Sequence, residues 1–400
     1  MLQENIREIV EHFSTPAYIF DVEILLKRIK SVKEILGNDI SLCYAMKANP
    51  WMISYINGVI DKFEVCSPGE YEICMSEKIP TDKIVLSGVY KNKDDIEKTV
   101  KNGFAGLYTI ESVTQLKVLK EVYKDQSAKP EFIIRLTNGS QFGMDKKTIR
   151  GLFETEIIKD IGKCVGIHYF SGTQKKNLSE LKKELEEVVL FCRELKKAYH
   201  VELRTIEYGP GLFIDYFNKN ADEDTEAVIA LANMLEEYKS EFHFTIELGR
   251  YLAATCGTYL TKVVDIKSND GVNYAIVDGG IHQISYYGQM LGIKIPPFKR
   301  ILCSNEEEED DKEWTVCGSL CTMRDVVLRK TRGKINLGDL LAFEKCGAYS
   351  VTEGEALFLS RNLPIILVRE SDGTIRILRE TFETYRLNCV WRREYSNEVC

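Results

Sequence analysis

The sequence contains no apolar run that approaches the roughly 20 residues needed by a membrane-spanning helix. Its first residues, from Met1 to Glu8, lack the apolar core of a secretory signal peptide, so we expect a cytoplasmic protein. Positive charge is also scarce, because 53 lysines and arginines face 61 acidic residues and leave a net charge of −8. This balance argues against a general nucleic-acid-binding protein. Glu306–Asp311 is an unbroken acidic run, which we expect to form a solvated loop.

Patterns typical of metal ligands are missing as well. The chain has only 5 histidines, and none of its 12 cysteines forms a Cys-x-x-Cys pair. The closest cysteines, Cys317 and Cys321, have three residues between them. We therefore expect most cysteines to be small buried residues and predict no metal site.

The first part of the chain alternates short β-rich runs with charged stretches of helical periodicity. Such alternation predicts parallel βα units, and eight units in roughly 220 residues predict a TIM barrel, here assigned to residues 22–257. The predicted strands are Leu42–Met46, Phe63–Cys66, Ile84–Leu86, Gly106–Thr109, Phe132–Leu136, Cys164–Tyr169, Thr205–Tyr208 and Phe242–Glu247.

The pattern changes after about residue 258, where long helical stretches become scarce. Strands joined by turns such as Asn269-Asp270-Gly271 predict an all-β domain, either a sandwich or a small barrel. We assign residues 258–400 to this domain, together with residues 1–21. The predicted strands are Thr258–Ile266, Tyr274–Asp278, Trp314–Cys317, Asp339–Phe343 and Ile365–Glu370.

Lys47 ends the first predicted barrel strand, within Ser-Leu-Cys-Tyr-Ala-Met-Lys-Ala-Asn-Pro at residues 41–50. Burial lowers the pKa of a lysine, which Schiff-base chemistry with a carbonyl compound requires. The alternative is a lysine whose stem covers apolar surface while its ammonium group reaches water.

Other polar residues fall at the ends of later strands, where a TIM barrel places its catalytic groups. His168 ends the sixth strand, and Gly209 and Gly211 follow the seventh. Glu247 ends the eighth, and Gly249 and Arg250 come directly after it. Taken singly, His168 could be a core histidine and Glu247 a partner for Arg250, but several strand ends in agreement favour an active site.

Tyr-Ala-Met-Lys-Ala-Asn resembles the lysine motif of the alanine-racemase-like pyridoxal-phosphate decarboxylases. This family (fold type III) includes the diaminopimelate, ornithine and arginine decarboxylases. The resemblance implies an internal aldimine on Lys47, His168 stacked on the pyridine ring, and Ser171 near the phosphate. Ile-Glu-Leu-Gly-Arg resembles the family's Glu-Pro-Gly-Arg, which implies that Glu247 pairs with the pyridine nitrogen.

Phosphate contacts are implied for Gly209, Gly211, Gly249 and Arg250. Proline at position 210 replaces the middle glycine of the family's triple-glycine loop and removes one N–H donor. Phe63–Glu70 resembles a family segment near the ring, with Glu64 where an aspartate is common.

The second domain carries further matches to the same family. Cys317–Asp325 resembles the family's Gly-Pro-x-Cys segment, which implies that Cys321 enters the partner subunit's active site and protonates Cα after decarboxylation. Gly347-Ala-Tyr349 matches the family's Gly-Ala-Tyr, whose tyrosine contacts the phosphate or ring. The resemblance thus implies a homodimer with shared active sites.

The Cys321 segment favours decarboxylation over two alternatives. One is an amino-acid racemase, which resembles only the barrel part. The other is an inert relative that binds another protein, although such relatives usually lose the lysine or the cysteine.

Two sequence differences argue against free diaminopimelate as the substrate. Residues 279–292 contain no arginine, and Thr322 stands where those enzymes usually have glutamate. These features resemble a biosynthetic side branch, in which the amino acid is free or bound to a carrier protein. Thr322, Asp325 and Tyr287 are our main substrate-binding candidates. The wider set also includes His282, Tyr286, Gln289 and Arg324.

Overall fold

A computed structural model describes residues 3–155, 157–218, 225–302 and 312–390. The acidic run 306–311 lies outside the described residues. The chain divides into two compact units. The barrel unit comprises Glu23–Asp215 and Lys219–Ala254, and the β unit comprises Met1–Val22, Tyr216–Asn218 and Thr255–Cys400.

The strands in the described part of the chain, in order, are β1 (Ala17–Asp21), β2 (Ser41–Ala45), β3 (Lys62–Val65), β4 (Ile84–Leu86), β5 (Leu107–Ile110), β6 (Glu131–Leu136), β7 (Lys163–Phe170), β8 (Thr205–Gly209), β9 (His243–Leu248), β10 (Gly257–Asn269), β11 (Val272–Val277), β12 (Phe298–Ile301), β13 (Glu313–Cys317), β14 (Val326–Arg332), β15 (Leu340–Phe343), β16 (Ile365–Arg369) and β17 (Ile375–Arg379).

The α-helices are α1 (Gln3–His12), α2 (Val22–Leu36), α3 (Ile53–Ile56), α4 (Pro68–Ser76), α5 (Lys93–Lys101), α6 (Val113–Val122), α7 (Lys146–Glu154), α8 (Leu178–Tyr199), α9 (Thr225–Glu236), α10 (Arg250–Ala253) and α11 (Tyr385–Asn388). Among the described residues, no helix is both long and apolar enough to cross a membrane.

Strands β2 to β9 form a closed parallel barrel, which confirms the predicted TIM-barrel fold. Each strand is followed by a helix, and parallel strands need such crossover connections. The barrel has an apolar cluster formed by Cys43, Val85, Leu107 and Ile133, with Val165 packed against it. Because all eight strands run in one direction, their carboxyl ends meet on one face of the barrel.

The β unit contains a nine-stranded sheet, which confirms the all-β second domain. The main path runs in the order β14, β13, β11, β10, β1, β16 and β17, while β15 pairs with both β10 and β12. Strand β1 pairs antiparallel with β10 and parallel with β16, so a segment from the start of the chain lies inside this sheet. The sequence patterns missed β12, β14 and β17, in which apolar and charged residues are mixed without strict alternation.

Candidate active site

Lys47 lies just beyond the carboxyl end of β2, in a short 3₁₀ turn from Met46 to Ala48. Its neighbours Met46 and Ala48 are buried, but the Lys47 side chain keeps 37% of its surface exposed. Asn49 then accepts a hydrogen bond from the Trp51 N–H at 3.2 Å and caps the next turn. The chain therefore turns sharply after the strand and leaves the Lys47 amine at the rim of the barrel.

Two nearly buried carboxylates face this amine. Lys47 Nζ donates a hydrogen bond to Glu64 and lies 3.7 Å from Oε1 of Glu247. Their side chains are only 6% and 9% exposed. Barrel closure explains the arrangement, because β2 lies between β3, which carries Glu64, and β9, which carries Glu247. Burial and the charge of Glu247 raise the pKa of Glu64, while the Lys47 charge opposes that shift.

His168 projects from β7 toward the same carboxylates. Its Nε2 lies 3.1 Å from Oε2 of Glu247. Burial and the positive charge of Arg135 lower the pKa of His168 to about 3, so the imidazole is neutral near pH 7. Since a carboxylate oxygen accepts, Nε2 must carry the proton. Among the described residues, no group hydrogen-bonds the remaining ring nitrogen, Nδ1.

The loops after β7 and β8 approach each other closely. Gly211 has a positive φ of +59°, and a Cβ at this position would lie 1.9 Å from the Gly172 carbonyl oxygen. The Lys175 N–H donates to the Gly211 carbonyl at 2.9 Å and ties the loops together. Ser171, in the β7 loop, donates its hydroxyl proton to Glu184 at 2.7 Å and accepts a hydrogen bond from the Lys175 ammonium group. Only glycine fits at position 211 without moving a backbone.

The other predicted phosphate contacts in the barrel unit occupy strand ends. Gly209 is the last residue of β8 and is buried. Gly249 follows β9, and a Cβ there would come within 3.1 Å of the side chains of Ala45 and Ala48. Arg250 begins α10 and is 9% exposed. Gly249 therefore keeps the chain close to the turn that carries Lys47, while a Cβ at Gly209 would strike the Phe170 ring.

Glu207 is a buried residue that the sequence patterns did not identify. It is fully buried on β8, and within the described part of the chain neither carboxylate oxygen has a hydrogen-bond partner. Donor or acceptor atoms of His168, Glu207 and Glu247 all lie within 4.8 Å of one another. Burial and the charge of Glu247 raise the pKa of Glu207 to about 8. The available signal was one acid between apolar residues, in Ile-Glu-Tyr.

Cys66 is the second missed residue. Its thiol donates to Oε1 of Glu64 at 3.2 Å, and its sulfur lies 3.7 Å from Lys47 Nζ. Burial and the charge of Glu64 raise the pKa of this thiol well above its ordinary value. Cys66 is therefore a neutral hydrogen-bond donor beside the lysine, rather than the inert core residue expected for most cysteines here.

The remaining predicted site residues belong to the β unit. Cys321 is exposed in the loop between β13 and β14, and Thr322, next to it, is half-buried. Tyr287 is 47% exposed, and Tyr349 has a positive φ of +65°. Asp325 is only 2% exposed, and both its carboxylate oxygens accept backbone N–H groups. That burial favours a role in shaping its own loop over the predicted contact with substrate.

A closed parallel barrel with ionisable side chains gathered at the carboxyl ends of its strands defines an enzyme. Residues 22–254 match the family described as "Pyridoxal-dependent decarboxylase, pyridoxal binding domain", and the chain belongs to this family. It is therefore a pyridoxal-phosphate-dependent amino-acid decarboxylase, as the resemblance predicted. This result sets aside the racemase and the inert relative.

Similar proteins extend the match over nearly the whole chain. The L-glutamyl-[BtrI acyl-carrier protein] decarboxylase of Niallia circulans is 24% identical, covering 94% of both chains. Diaminopimelate decarboxylase of Methanocaldococcus jannaschii is 25% identical, covering 94% of this chain and 91% of that protein. The structure of diaminopimelate decarboxylase from Helicobacter pylori has a TM-score of 0.82 at 23% identity, covering 96% of this chain and 99% of that one. This structural likeness shows a shared fold.

The barrel unit itself fits pyridoxal phosphate. Lys47 offers a partly exposed amine beside the carboxylate of Glu247, and Nδ1 of His168 is left without a partner among the described groups. At Gly211 a side chain would strike the Gly172 backbone, so only backbone lines that part of the loop. Pyridoxal phosphate needs an amine for its aldehyde, a carboxylate for its ring nitrogen and a glycine loop for its phosphate, and the barrel unit provides all three.

We predict that Glu207→Gln makes the protein more stable near neutral pH. The pKa of Glu207 is raised from 4.5 to about 8 in the folded protein. Below pH 4.5 the Glu207 carboxyl group is protonated in both the folded and the unfolded protein, so its burial costs no proton uptake. From pH 4.5 to about 8 only the folded protein keeps this proton, so the free energy of unfolding falls as pH rises. Glutamine stays neutral, so its free energy of unfolding should exceed that of the wild type by on the order of 3 kcal/mol at pH 7.

Urea unfolding from about pH 5 to about pH 8 measures this effect, and the gap should widen with pH. Glu202→Gln is the matched control, because the Glu202 side chain is 71% exposed. If the difference in free energy of unfolding between Glu207→Gln and the wild type does not change with pH, Glu207 is already ionised in the folded protein at about pH 5.

Proposed function

We propose that this enzyme decarboxylates a biosynthetic amino acid at Cα, with pyridoxal phosphate attached to Lys47. The observation that carries the proposal is the contact of Lys47 Nζ with two carboxylates of 6% and 9% exposure. Glu64 accepts a hydrogen bond from the amine, and Glu247 lies 3.7 Å away. When bound, pyridoxal phosphate supplies an electron sink for the charge left on Cα as carbon dioxide departs.

Glu247 and His168 are proposed to hold the ring. The Glu247 carboxylate pairs with the protonated ring nitrogen, and its hydrogen bond from His168 at 3.1 Å fixes its orientation. His168 stays neutral, since burial and the charge of Arg135 lower its pKa to about 3. A neutral imidazole against the ring adds no positive charge to oppose the protonated nitrogen.

The phosphate is proposed to lie at the loops after β7, β8 and β9. Backbone N–H groups near Gly209, Gly211 and Gly249 approach an anion closely because no side chain stands in the way. Arg250 adds a positive charge and Tyr349 a phenol. Ser171 adds a hydroxyl donor once its O–H turns from Glu184 to the phosphate. Pro210 provides no N–H, so these groups supply the donors that the family's middle glycine provides.

Cys321 is proposed as the proton donor to Cα, acting in the partner subunit's site. Its thiol is exposed, on a loop in the β unit, and a thiol at such a position can deliver a proton. The assembly is then a homodimer with isologous contacts. The described cysteines are all free thiols, which supports a reducing compartment such as the cytoplasm.

The substrate is proposed to be an amino acid other than free diaminopimelate, either free or bound to a carrier protein. Thr322 and Tyr287 are proposed to face its side chain. Arg324 does not replace the missing arginine in this proposal, because it pairs with Glu355 at 2.6 Å. Support for a carrier-bound substrate comes from the Niallia circulans relative, whose name specifies a glutamyl group on an acyl-carrier protein.

The first prediction from this proposal is that borohydride fixes the cofactor on Lys47. Reduction of the wild-type enzyme should leave a phosphopyridoxyl group on the peptide that contains Lys47, because imine formation releases water and borohydride adds two hydrogens. Lys47→Ala should lose both this label and the yellow colour. Lys163→Ala is the control, because the Lys163 side chain is 66% exposed on the barrel surface. A reducible label that survives in Lys47→Ala would exclude Lys47 as the attachment site.

The second prediction concerns shared active sites. Lys47→Ala and Cys321→Ala should each be inactive or nearly so when pure. A mixed dimer should regain one good site, since one subunit supplies Lys47 and the other Cys321. Activity is measured after verified subunit exchange, with each variant exchanged against itself as control. If the mixture stays as inactive as the controls, each site is built from a single chain.

The third prediction is poor use of free diaminopimelate. Each missing charged contact is worth roughly 2–5 kcal/mol by comparison with buried ion pairs. We expect kcat/KM for meso-diaminopimelate to lie at least about tenfold below that of the best substrate. The panel comprises meso-diaminopimelate, lysine, ornithine, arginine, glutamate and glutamate on a carrier protein. Carbon dioxide release is the readout.

Thr322→Glu is the matched variant for this panel. It restores the glutamate that the family usually has after the cysteine and should narrow the difference. A clear preference of the wild type for diaminopimelate would mean that other residues bind the distal carboxylate.

A further inference from the structure

The segment Gly318–Asp325 joins β13 to β14 and carries both Cys321 and Thr322. Cys321 is exposed, and Met323 is 94% exposed. Side-chain packing therefore does little to hold this part of the loop. The position of the Cys321 thiol must come from how its backbone is anchored.

The strongest anchor in the loop is the Asp325 carboxylate. Its Oδ2 accepts the N–H of Leu320 at 2.8 Å, one residue before Cys321. Its Oδ1 accepts the N–H of Ile281 at 2.9 Å, in a separate segment after β11. Asp325 is 2% exposed, so water competes little for these bonds. Hydrogen bonds to an ionised acceptor are about twice as strong as neutral ones.

Two glycines make room for this carboxylate. A Cβ at Gly318 would lie 2.3 Å from Oδ2 of Asp325, and a Cβ at Gly280 would lie 2.6 Å from both its oxygens. Gly280 also has a positive φ of +149°. Any other residue at either position would push the carboxylate away from the two N–H groups that it accepts.

Further hydrogen bonds hold the base of the loop and connect the residues bound by Asp325 to the backbone around Cys321. The Ser319 carbonyl accepts from Arg361 Nη2 at 2.9 Å, and the Ser319 N–H donates to the Gly279 carbonyl at 2.8 Å. The Thr322 N–H donates to the Leu320 carbonyl at 2.9 Å. Cys321 thus lies between two residues whose backbone is held, directly or through one bond, by Asp325.

We propose that Asp325 is a positioning residue that sets the Cys321 thiol in place to protonate one face of Cα. The inference rests on the proposed role of Cys321 as proton donor. Both carboxylate oxygens of Asp325 already accept backbone N–H groups, so we expect it to act through the loop and not by touching substrate or cofactor. Its carboxylate ties the backbone N–H of Leu320, directly before the thiol, to that of Ile281 in a separate segment, and the Leu320 carbonyl in turn holds Thr322 on the other side.

The test is Asp325→Asn, which keeps the shape of the side chain but turns an NH₂ group toward one of the two N–H donors. General acid catalysis contributes roughly 10²- to 10⁴-fold, and small misplacements of a catalytic group lose about 10²-fold. We therefore expect kcat to fall by about 10- to 100-fold with little change in KM. The substrate is the amino acid of highest kcat/KM in the panel.

A second readout separates positioning from stability. In D₂O the wild type should give product with deuterium on one face of Cα, and Asp325→Asn should give product deuterated on both faces. The rate at which iodoacetamide alkylates Cys321, followed by peptide mass spectrometry, should also change. A protein that is merely less stable would keep its stereochemistry in every molecule that remains folded.

Two further variants keep the test decisive. Gly318→Ala displaces the carboxylate without changing its chemistry and should reproduce the loss of stereochemistry. It therefore tests the positioning role if Asp325→Asn fails to fold. Asp372→Asn is the control, because Asp372 accepts the Thr374 N–H at 2.9 Å in an exposed turn of the same unit. It should keep the wild-type kcat and stereochemistry.

Cys321→Ala, measured in parallel, tests the proton-donor role of Cys321 separately from the positioning role of Asp325. If Cys321→Ala loses rate and stereochemistry while Asp325→Asn and Gly318→Ala keep both, Asp325 has a structural role only and the inference is wrong. If Cys321→Ala itself keeps both, the proton-donor assignment fails and the inference fails with it.

Discussion

The contact of one amine with two buried carboxylates is the constraint on which the active site depends. Lys47, Glu64 and Glu247 come from β2, β3 and β9, which become neighbours only when the barrel closes. Their charges do not balance, because one ammonium faces two carboxylates that are 6% and 9% exposed. A second positive charge in this place is therefore favourable. With pyridoxal phosphate bound as proposed, its protonated ring nitrogen would supply such a charge.

The groups around this trio avoid adding further charge. Burial and the nearby Arg135 charge lower the pKa of His168 to about 3, so it stays neutral. Burial and the charge of Glu247 raise the pKa of Glu207 to about 8, so it keeps its proton near pH 7. Burial likewise raises the pKa of the Cys66 thiol well above its ordinary value. Three ionisable side chains are thus neutral near pH 7, and desolvation is the main cause of each pKa shift.

Sequence patterns predicted the barrel and the strand ends that carry Lys47, His168 and Glu247, because eight alternating units repeat one simple signal. They missed Glu207 and Cys66, which look like ordinary members of a strand until the barrel closes around them. Strands β12, β14 and β17 were missed for a different reason: each mixes apolar and charged residues without strict alternation, and each is recognised by its backbone pairing in the sheet. Tertiary pairing of that kind leaves little trace in local composition.

From the sequence alone, Asp325 could either contact substrate or hold its own loop, and only the folded structure distinguishes the two roles. An aspartate four residues after a reactive cysteine suggests a substrate contact, and its charge would suit an amino group. In the folded chain Gly280 and Gly318 leave space for its carboxylate, and two backbone N–H groups occupy the oxygens. A buried acceptor already satisfied in this way gains little by turning to a ligand, since both donors would be left unpaired. Thr322 and Tyr287 therefore remain the proposed contacts to substrate, and Asp325 is the proposed anchor of the loop that carries Cys321.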